Sequence, residues 1–441
     1  MKESLKVSDI LALGFMTFAF FLGAGNIIFP PQAGFLAGDH TFPAMLGFLT
    51  TAVGLPLIGI VAVAIAGGGW KGLTRDLPTS VATLMAVLIF IIIGPAFAAP
   101  RAGLVAYEMG FKPFLTDAGQ FELSLFSVVF FAVAMFFSLS QGKLIDTIGK
   151  LLTPALFAAL VVLAIAVVVN PQGDVAAAQG AYVDQAFATG FLEGYNTMDT
   201  FAALMFGMLI VDVIRKKGIK SEAKTCQYLI YAGVIAATGL AFVYVSLFYL
   251  GATATGVAAG AANGGAILSA YVMALFGPAG QIILSTIIVL ACLTTVIGLV
   301  SACSDYFSSL VKVSYRQWVV ILSIACAVVA NVGLNQLIAV SVPVLFGLYP
   351  VAIALIALTF LRRFMPNPAI AYRVVLSVSL VFALFDAAKI AGLDVSALNV
   401  LPLFNYGMAW LLPTVIAMVA VRFVPAPKGD SSQAPLNGKL N

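Results

Sequence analysis

Charge is what this chain has least of. Of 441 residues, 9% are charged and 62% are hydrophobic, against roughly a quarter charged in an ordinary soluble domain. That scarcity argues against a soluble fold, because a large share of any globular protein must face water. Histidine is almost missing: His40, in a Gly38-Asp39-His40 turn, is the only one, which argues against a zinc site or a histidine-based triad. The cysteines, Cys226, Cys292, Cys303 and Cys326, have neither paired metal spacing nor an extracellular disulfide framework, and read as small buried hydrophobes. There is no G-x-x-x-x-G-K-[ST] loop and no soluble domain, which excludes an ATP-driven pump for this chain alone. No HExxH motif supports a membrane enzyme, and no repeated filter sequence supports a channel. No organic cofactor is expected.

What the chain has instead is apolar runs of about twenty residues, the length that crosses a hydrocarbon layer ~30 Å thick at ~1.5 Å per residue. Such spans must be helices, which satisfy their own backbone hydrogen bonds in lipid. The fold class is therefore an all-α integral membrane protein in a single transmembrane domain. About twelve spans are read, near 8–37, 41–66, 79–107, 122–139, 145–169, 191–214, 224–251, 278–308, 315–331, 336–360, 370–390 and 403–423. The first apolar run reads as a retained span, since it continues into Pro30-Pro31 without a cleavage site. Residues 424–441 are polar and read as a loose cytoplasmic tail. With both termini cytoplasmic, the inner loops and tail hold all of the 22 basic residues except Arg101, Lys112 and Lys389, as the positive-inside rule requires. The cluster Arg215-Lys216-Lys217 with Lys220 and Lys224 is thus an orientation signal, and the net charge of +4 is no sign of nucleic acid.

The first span is interrupted. After Phe15 to Leu22 come Gly23, Ala24, Gly25 and Asn26, and then Pro30 and Pro31. Two glycines weaken a helix, and proline removes a donor and collides with the preceding turn. One reading is a glycine-lined packing face with a proline stop; the other is a helix broken at mid-depth. A break turns free N–H groups and a positive dipole end toward a carboxylate, and carbonyl ends toward an ammonium group or sodium ion. A zwitterion is then recognised mainly by backbone.

Spans one to five and six to ten each number five, so the second set enters from the opposite side, as an inverted repeat requires. The repeats would be 8–169 and 191–360, with two additional helices over 370–423. Span six, the partner of span one, carries Asn196, Thr197, Asp199 and Thr200, then Phe206-Gly207. An acidic residue within a span is a functional candidate by default, the alternative for Asp199 being the outer interface. Thr294 and Thr295 in span eight could bond back to their own helix or contribute oxygens to a cation. Arg101 in span three could pair with Glu108, snorkel outward, or face a substrate carboxylate. Asp305 and Asp386 read as interfacial. Phe15, Phe20, Phe21 and Met205 are candidates for an apolar pocket wall.

The stretch GFMTFAFFLGAGNIIFPPQAG (14–34) resembles the opening of the bacterial branched-chain amino acid carriers of the BrnQ type. The resemblance continues through GPAFAAPR, YNTMDTFAALMFG, ACLTTVIGL with SACSDYF, and SVPVLFGLYP. It implies the LeuT-like fold, a five-plus-five inverted repeat with helices one and six broken, and symport of leucine, isoleucine and valine with sodium, or alternatively with a proton. It also implies Thr294 and Thr295 as sodium ligands. The expected substrate site is Phe21, Gly23, Ala24, Gly25, Asn26, Arg101, Thr200, Phe206 and Gly207, and the coupling set is Gly23, Asn26, Asp199, Thr294 and Thr295.

Overall fold

The computed structural model describes residues 4–116, 118–139 and 143–425, with the side chains of 143–153 and 212 outside that description. The expected tail lies outside it from residue 426 onward. Helices are the only regular secondary structure among the described residues. Seven of them are long and apolar enough to cross a membrane, or eight with the bent pair Tyr182–Thr197 and Asp199–Lys216. Shorter apolar helices run Val7–Phe21, Pro154–Val169, Tyr315–Ala330 and Leu411–Phe423.

The first span is two half-helices, Val7–Phe21 and Ala24–Ala37. Only Leu22 and Gly23 leave the helical region, with ψ of 83° and −173°. The interruption is therefore narrower than the sequence reading placed it: Ala24, Gly25 and Asn26 form the first turn of the second half. Pro30 and Pro31 lie inside that half-helix and do not end it.

Span three bends where it is proline-bearing. Thr79–Ile91 gives way to a wide turn, Ile92–Ala96, in which Gly94 has non-helical backbone (φ −92°, ψ −117°), and Ala98–Gly110 follows. Pro95 lacks the N–H that would close the turn, so the second part of the span takes its own direction and carries Arg101 with it.

Three boundaries differ from expectation. Span six begins at Tyr182, because the polar Asp184, Gln185, Thr189 and Glu193 lie on a helix that sequence pattern reads as a loop. Gly264–Leu310 is one helical run with a corner at Gly277 (φ 63°), so an unforeseen helix precedes the expected span eight. The last span begins at Leu411 and not at 403, running Leu411–Phe423: Leu403 and Gly407 are both left-handed (φ 63° and 68°), which stops a helix there.

The second half of span one is packed backbone to backbone against span seven, Glu222–Ala252. A Cβ added at Gly34 would stand 2.1 Å from the Phe248 carbonyl oxygen, so only glycine permits that approach. Two ion pairs tie neighbouring ends on one side of the bundle. Lys217 Nζ lies 2.7 Å from Asp9 Oδ1, joining the end of span six to the start of span one. Arg362 Nε and Nη2 donate to both oxygens of Asp76 at 2.6 and 3.2 Å, joining span ten to the loop before span three.

Candidate functional site

The second half of span one begins at Gly23, whose N–H donates to Asn26 Oδ1 at 3.1 Å. The amide of Asn26 thus caps its own half-helix, and its other end crosses to the second broken span: Nδ2 donates to Asp199 Oδ2 at 2.7 Å and also to the Tyr244 hydroxyl. Tyr244, from span seven, donates to the same carboxylate oxygen at 2.7 Å. Spans one, six and seven are therefore joined at one fully enclosed oxygen.

Span six is broken in its own way. The short turn Gly194–Thr197 ends at Met198, which is left-handed (φ 62°, ψ 12°). A non-glycine residue there is strained by about 1–3 kcal/mol, a strain that clusters at functional sites. Asp199 then opens the helix Asp199–Lys216 and is buried, 2% exposed. Thr200 is buried beside it, and its N–H donates to the Tyr349 hydroxyl of span ten at 3.2 Å.

Arg101 reaches this place from span three. It is 3% exposed, its guanidinium carbon lies 5.1 Å from the centre of the Phe29 ring, and its Nε and Nη1 have no hydrogen-bond partner. A Cβ added at Gly25 would meet Arg101 Nη2 at 2.9 Å and the Asn196 carbonyl oxygen at 3.3 Å. Gly25 thus makes room for the guanidinium, and the two breaks adjoin there. The pairing of Arg101 with Glu108 is corrected: Glu108 Oε2 takes Lys112 Nζ at 2.8 Å. A buried cation with unpartnered N–H groups is expensive, which makes Arg101 a candidate for ligand binding. Arg101 and Asp199 thus set two buried groups of opposite charge beside the adjoining breaks.

Of the other expected residues, Phe20 meets Phe206 with ring centroids 5.4 Å apart, an apolar wall joining the two broken spans. Phe21 and Met205 are buried, whereas Phe15 is 45% exposed and faces outward. Gly207 is a correction: a Cβ there would meet Val63 of span two at 2.9 Å, so it serves helix packing. Thr294 and Thr295 both donate to the Ala291 carbonyl oxygen at 2.9 Å. The Thr295 methyl lies 3.8 Å from where a Gly23 Cβ would be, which sets span eight beside the first break. Asp305 is exposed, whereas Asp386, close to the end of its helix, is fully buried.

Tyr244 and Tyr349 were not foreseen. Each sits in an apolar run whose polar partner lies far off in the chain, and no local spacing marks them. Tyr244→Phe should weaken the site without unfolding the bundle: a hydrogen bond to a charged group contributes about 1.5–3 kcal/mol, so substrate affinity falls about tenfold or more. Unchanged uptake kinetics in that variant would remove Tyr244 from the site.

Two adjoining broken helices over a buried charge cluster belong to a known helical membrane architecture. The chain has the fold of MhsT, solved in complex with L-phenylalanine, at a TM-score of 0.52 and 16% identity over 93% of this chain and 96% of that one. It also has the fold of Mhp1, a nucleobase-cation-symport-1 family transporter solved closed with bromovinylhydantoin bound, at a TM-score of 0.56 and 16% identity, covering 93% and 92%. By sequence, the chain belongs to the branched-chain amino acid transport protein family, whose model matches residues 6–427. It is 47% identical to the branched-chain amino acid transport system 2 carrier protein of Pseudomonas aeruginosa, covering 94% of this chain and 95% of that one. It is 43% identical to the branched-chain amino acid permease BrnQ of Escherichia coli K12 and 42% identical to BraB of Bacillus subtilis, each covering 95% of this chain and 96% of the relative. These relatives are named as carriers and permeases, in line with the reading against an enzyme.

Proposed function

We propose that this chain takes up leucine, isoleucine and valine by symport with a cation, sodium in the first place, through alternating access. The observation that carries the proposal is the buried Arg101 guanidinium aimed at Gly25, with Asp199 across the break. Substrate carboxylate would lie on Arg101 and the free N–H groups opening the half-helix Ala24–Ala37. The ammonium group would face Asp199 and the carbonyl end of Val7–Phe21. Phe20, Phe21 and Phe206 supply apolar wall for an aliphatic side chain. Such a wall separates side chains one methylene apart by only about 1–3 kcal/mol, which fits one carrier for three similar amino acids.

Sodium would be taken as a co-substrate by the Thr295 and Thr294 hydroxyls together with carbonyls at the first break. Their bonds to Ala291 use the hydroxyl protons and leave oxygen lone pairs for a hard cation. A second reading has its own support. Asp199 is a buried carboxylate held only by neutral donors, Asn26 and Tyr244, and could carry a coupling proton.

The same proposal includes twelve crossings, the inverted repeats 8–169 and 191–360, and cytoplasmic termini in a bacterial inner membrane. Spans one, two, six and seven would rock against three, four, eight and nine. The Asn26–Asp199–Tyr244 junction supports a unit containing spans one, six and seven, and Arg101 belongs to the opposing unit.

Competition against labelled leucine uptake tests the charge assignment. Leucinol keeps the ammonium group and the side chain but has no carboxylate. It should fail to compete at concentrations where valine and isoleucine compete fully; competition equal to that of leucine would refute a carboxylate anchor at Arg101.

A further inference from the structure

Away from the two breaks, a second enclosed ionisable group lies in span eleven, Pro368–Ile390. Asp386 is 0% exposed, one turn from the end of that helix. Its Oδ1 accepts the Ala409 N–H at 3.2 Å, while Oδ2 has no partner. The Tyr195 hydroxyl and the Trp410 indole Nε1 are likewise buried and unpartnered. Trp410 adjoins Ala409, whose N–H Asp386 accepts, and this segment packs on the arm that carries Tyr195: a Cβ added at Gly407 would stand 3.1 Å from Leu192 Cδ1.

Charged neighbours are few. Lys389, on the same helix, is engaged elsewhere: its Nζ donates to the Phe404 and Asn405 carbonyls at 3.0 and 3.3 Å. Leu334–Leu361 and Leu411–Ala420, which pack on span eleven, contain no Asp, Glu, Lys or Arg. Tyr349 reaches toward Tyr195 from span ten, and Glu193, two residues before Tyr195, is engaged by Asn196 Nδ2 at 2.9 Å. A metal cation would be repelled by the indole N–H and would find few oxygens. A proton, with a water to share the donors, fits this set.

We propose that Asp386, Tyr195 and Trp410 form a buried proton-binding site that regulates the break in span six from the final pair of helices. Ionised Asp386 accepts from the Tyr195 hydroxyl and the Trp410 indole, directly or through the water, and holds the Tyr182–Thr197 arm in place. Protonated Asp386 has one fewer acceptor position and releases that arm. The change reaches the substrate site through a short path. Tyr195 stacks on Tyr349 with ring centroids 4.3 Å apart at 17°, and the Tyr349 hydroxyl accepts the Thr200 N–H, next to Asp199. The last two helices, which lie outside the proposed repeats, thereby acquire a role.

The test uses the full chain in proteoliposomes at fixed sodium, from acid to neutral pH. Acidification should raise the leucine KM of the parent chain by about threefold or more, because release of the arm weakens the site. Asp386→Asn should stay near the acid value at every pH, varying within about 1.5-fold. A second readout needs no transport: Trp410 emission, isolated as the difference between the parent and Trp410→Phe, should step with pH in the parent and not in Asp386→Asn. Tyr195→Phe keeps the carboxylate; it should retain the emission step but lose the pH dependence of KM, and it decides the question if Asp386→Asn fails to fold. The kinetic arm rests on the proposed leucine transport, whereas the emission arm does not. An emission step that persists in Asp386→Asn, or a Tyr195→Phe variant whose KM follows pH as the parent's does, overturns the proposal.

Discussion

Gly25→Val is expected to abolish leucine uptake while leaving the chain inserted in the membrane at normal level. The added Cβ alone would stand 2.9 Å from Arg101 Nη2 and 3.3 Å from the Asn196 carbonyl oxygen. The guanidinium is the movable partner, but it is enclosed and lies over Phe29. It cannot yield without leaving the place where a carboxylate would meet it. Overpacking of this kind costs about 1–3 kcal/mol, and here the cost falls on the site and not on the helix bundle. Gly25→Ala should be intermediate, with a loss of about tenfold, and Gly25→Val should lose about a hundredfold or more. Initial rates of labelled leucine uptake, normalised to membrane protein, decide it. Normal uptake in Gly25→Val would mean that the breaks adjoin for packing alone.

The second large effect concerns the guanidinium itself. Arg101→Gln removes the buried cation near Asp199 and leaves substrate carboxylate without that charged partner. Truncating one member of a buried charge pair costs about 2–5 kcal/mol, so the leucine KM should rise about thirtyfold or more. Arg101→Lys should not restore it, because an ammonium point charge replaces a planar fork that reaches two oxygens at once. The same variant carries an internal control. If Arg101 reads the carboxylate, leucinol and leucine should compete equally weakly in Arg101→Gln, although they differ sharply in the parent. A variant that still prefers leucine would assign the carboxylate to the half-helix N-terminus alone.

Much of this site could be read in the sequence, for identifiable reasons. The break in span one is written in two glycines, Gly23 and Gly25, and the Asn26 amide within an apolar run, and Asp199 stands out because a carboxylate in a span is costly. Arg101 is conspicuous for the same reason, but its direction was not: the bend at Gly94-Pro95 aims it at Gly25, whereas straight-helix geometry allowed Glu108. Tyr244 and Tyr349 were invisible because their partners are supplied by packing between remote spans. The burial of Asp386 is not legible in sequence because its partner, Ala409, lies in a segment that the apolar pattern assigns to the last helix. The left-handed residues Leu403 and Gly407 fold that segment back onto span eleven. The leading arm of span six is hard to see because Asp184, Gln185, Thr189 and Glu193 interrupt its apolar run, although the helix packs closely on span two at Gly190 and Ala44. The family strings carried the fold, since they run through spans one, three, six, eight and ten, which meet at the breaks.

Coupled uptake is most directly tested by loading purified chain into vesicles and imposing either a sodium or a proton gradient at equal membrane potential. An inward sodium gradient should concentrate labelled leucine above the outside level, and a sodium ionophore should discharge it. Leucine that merely equilibrates under both gradients would contradict symport at this site.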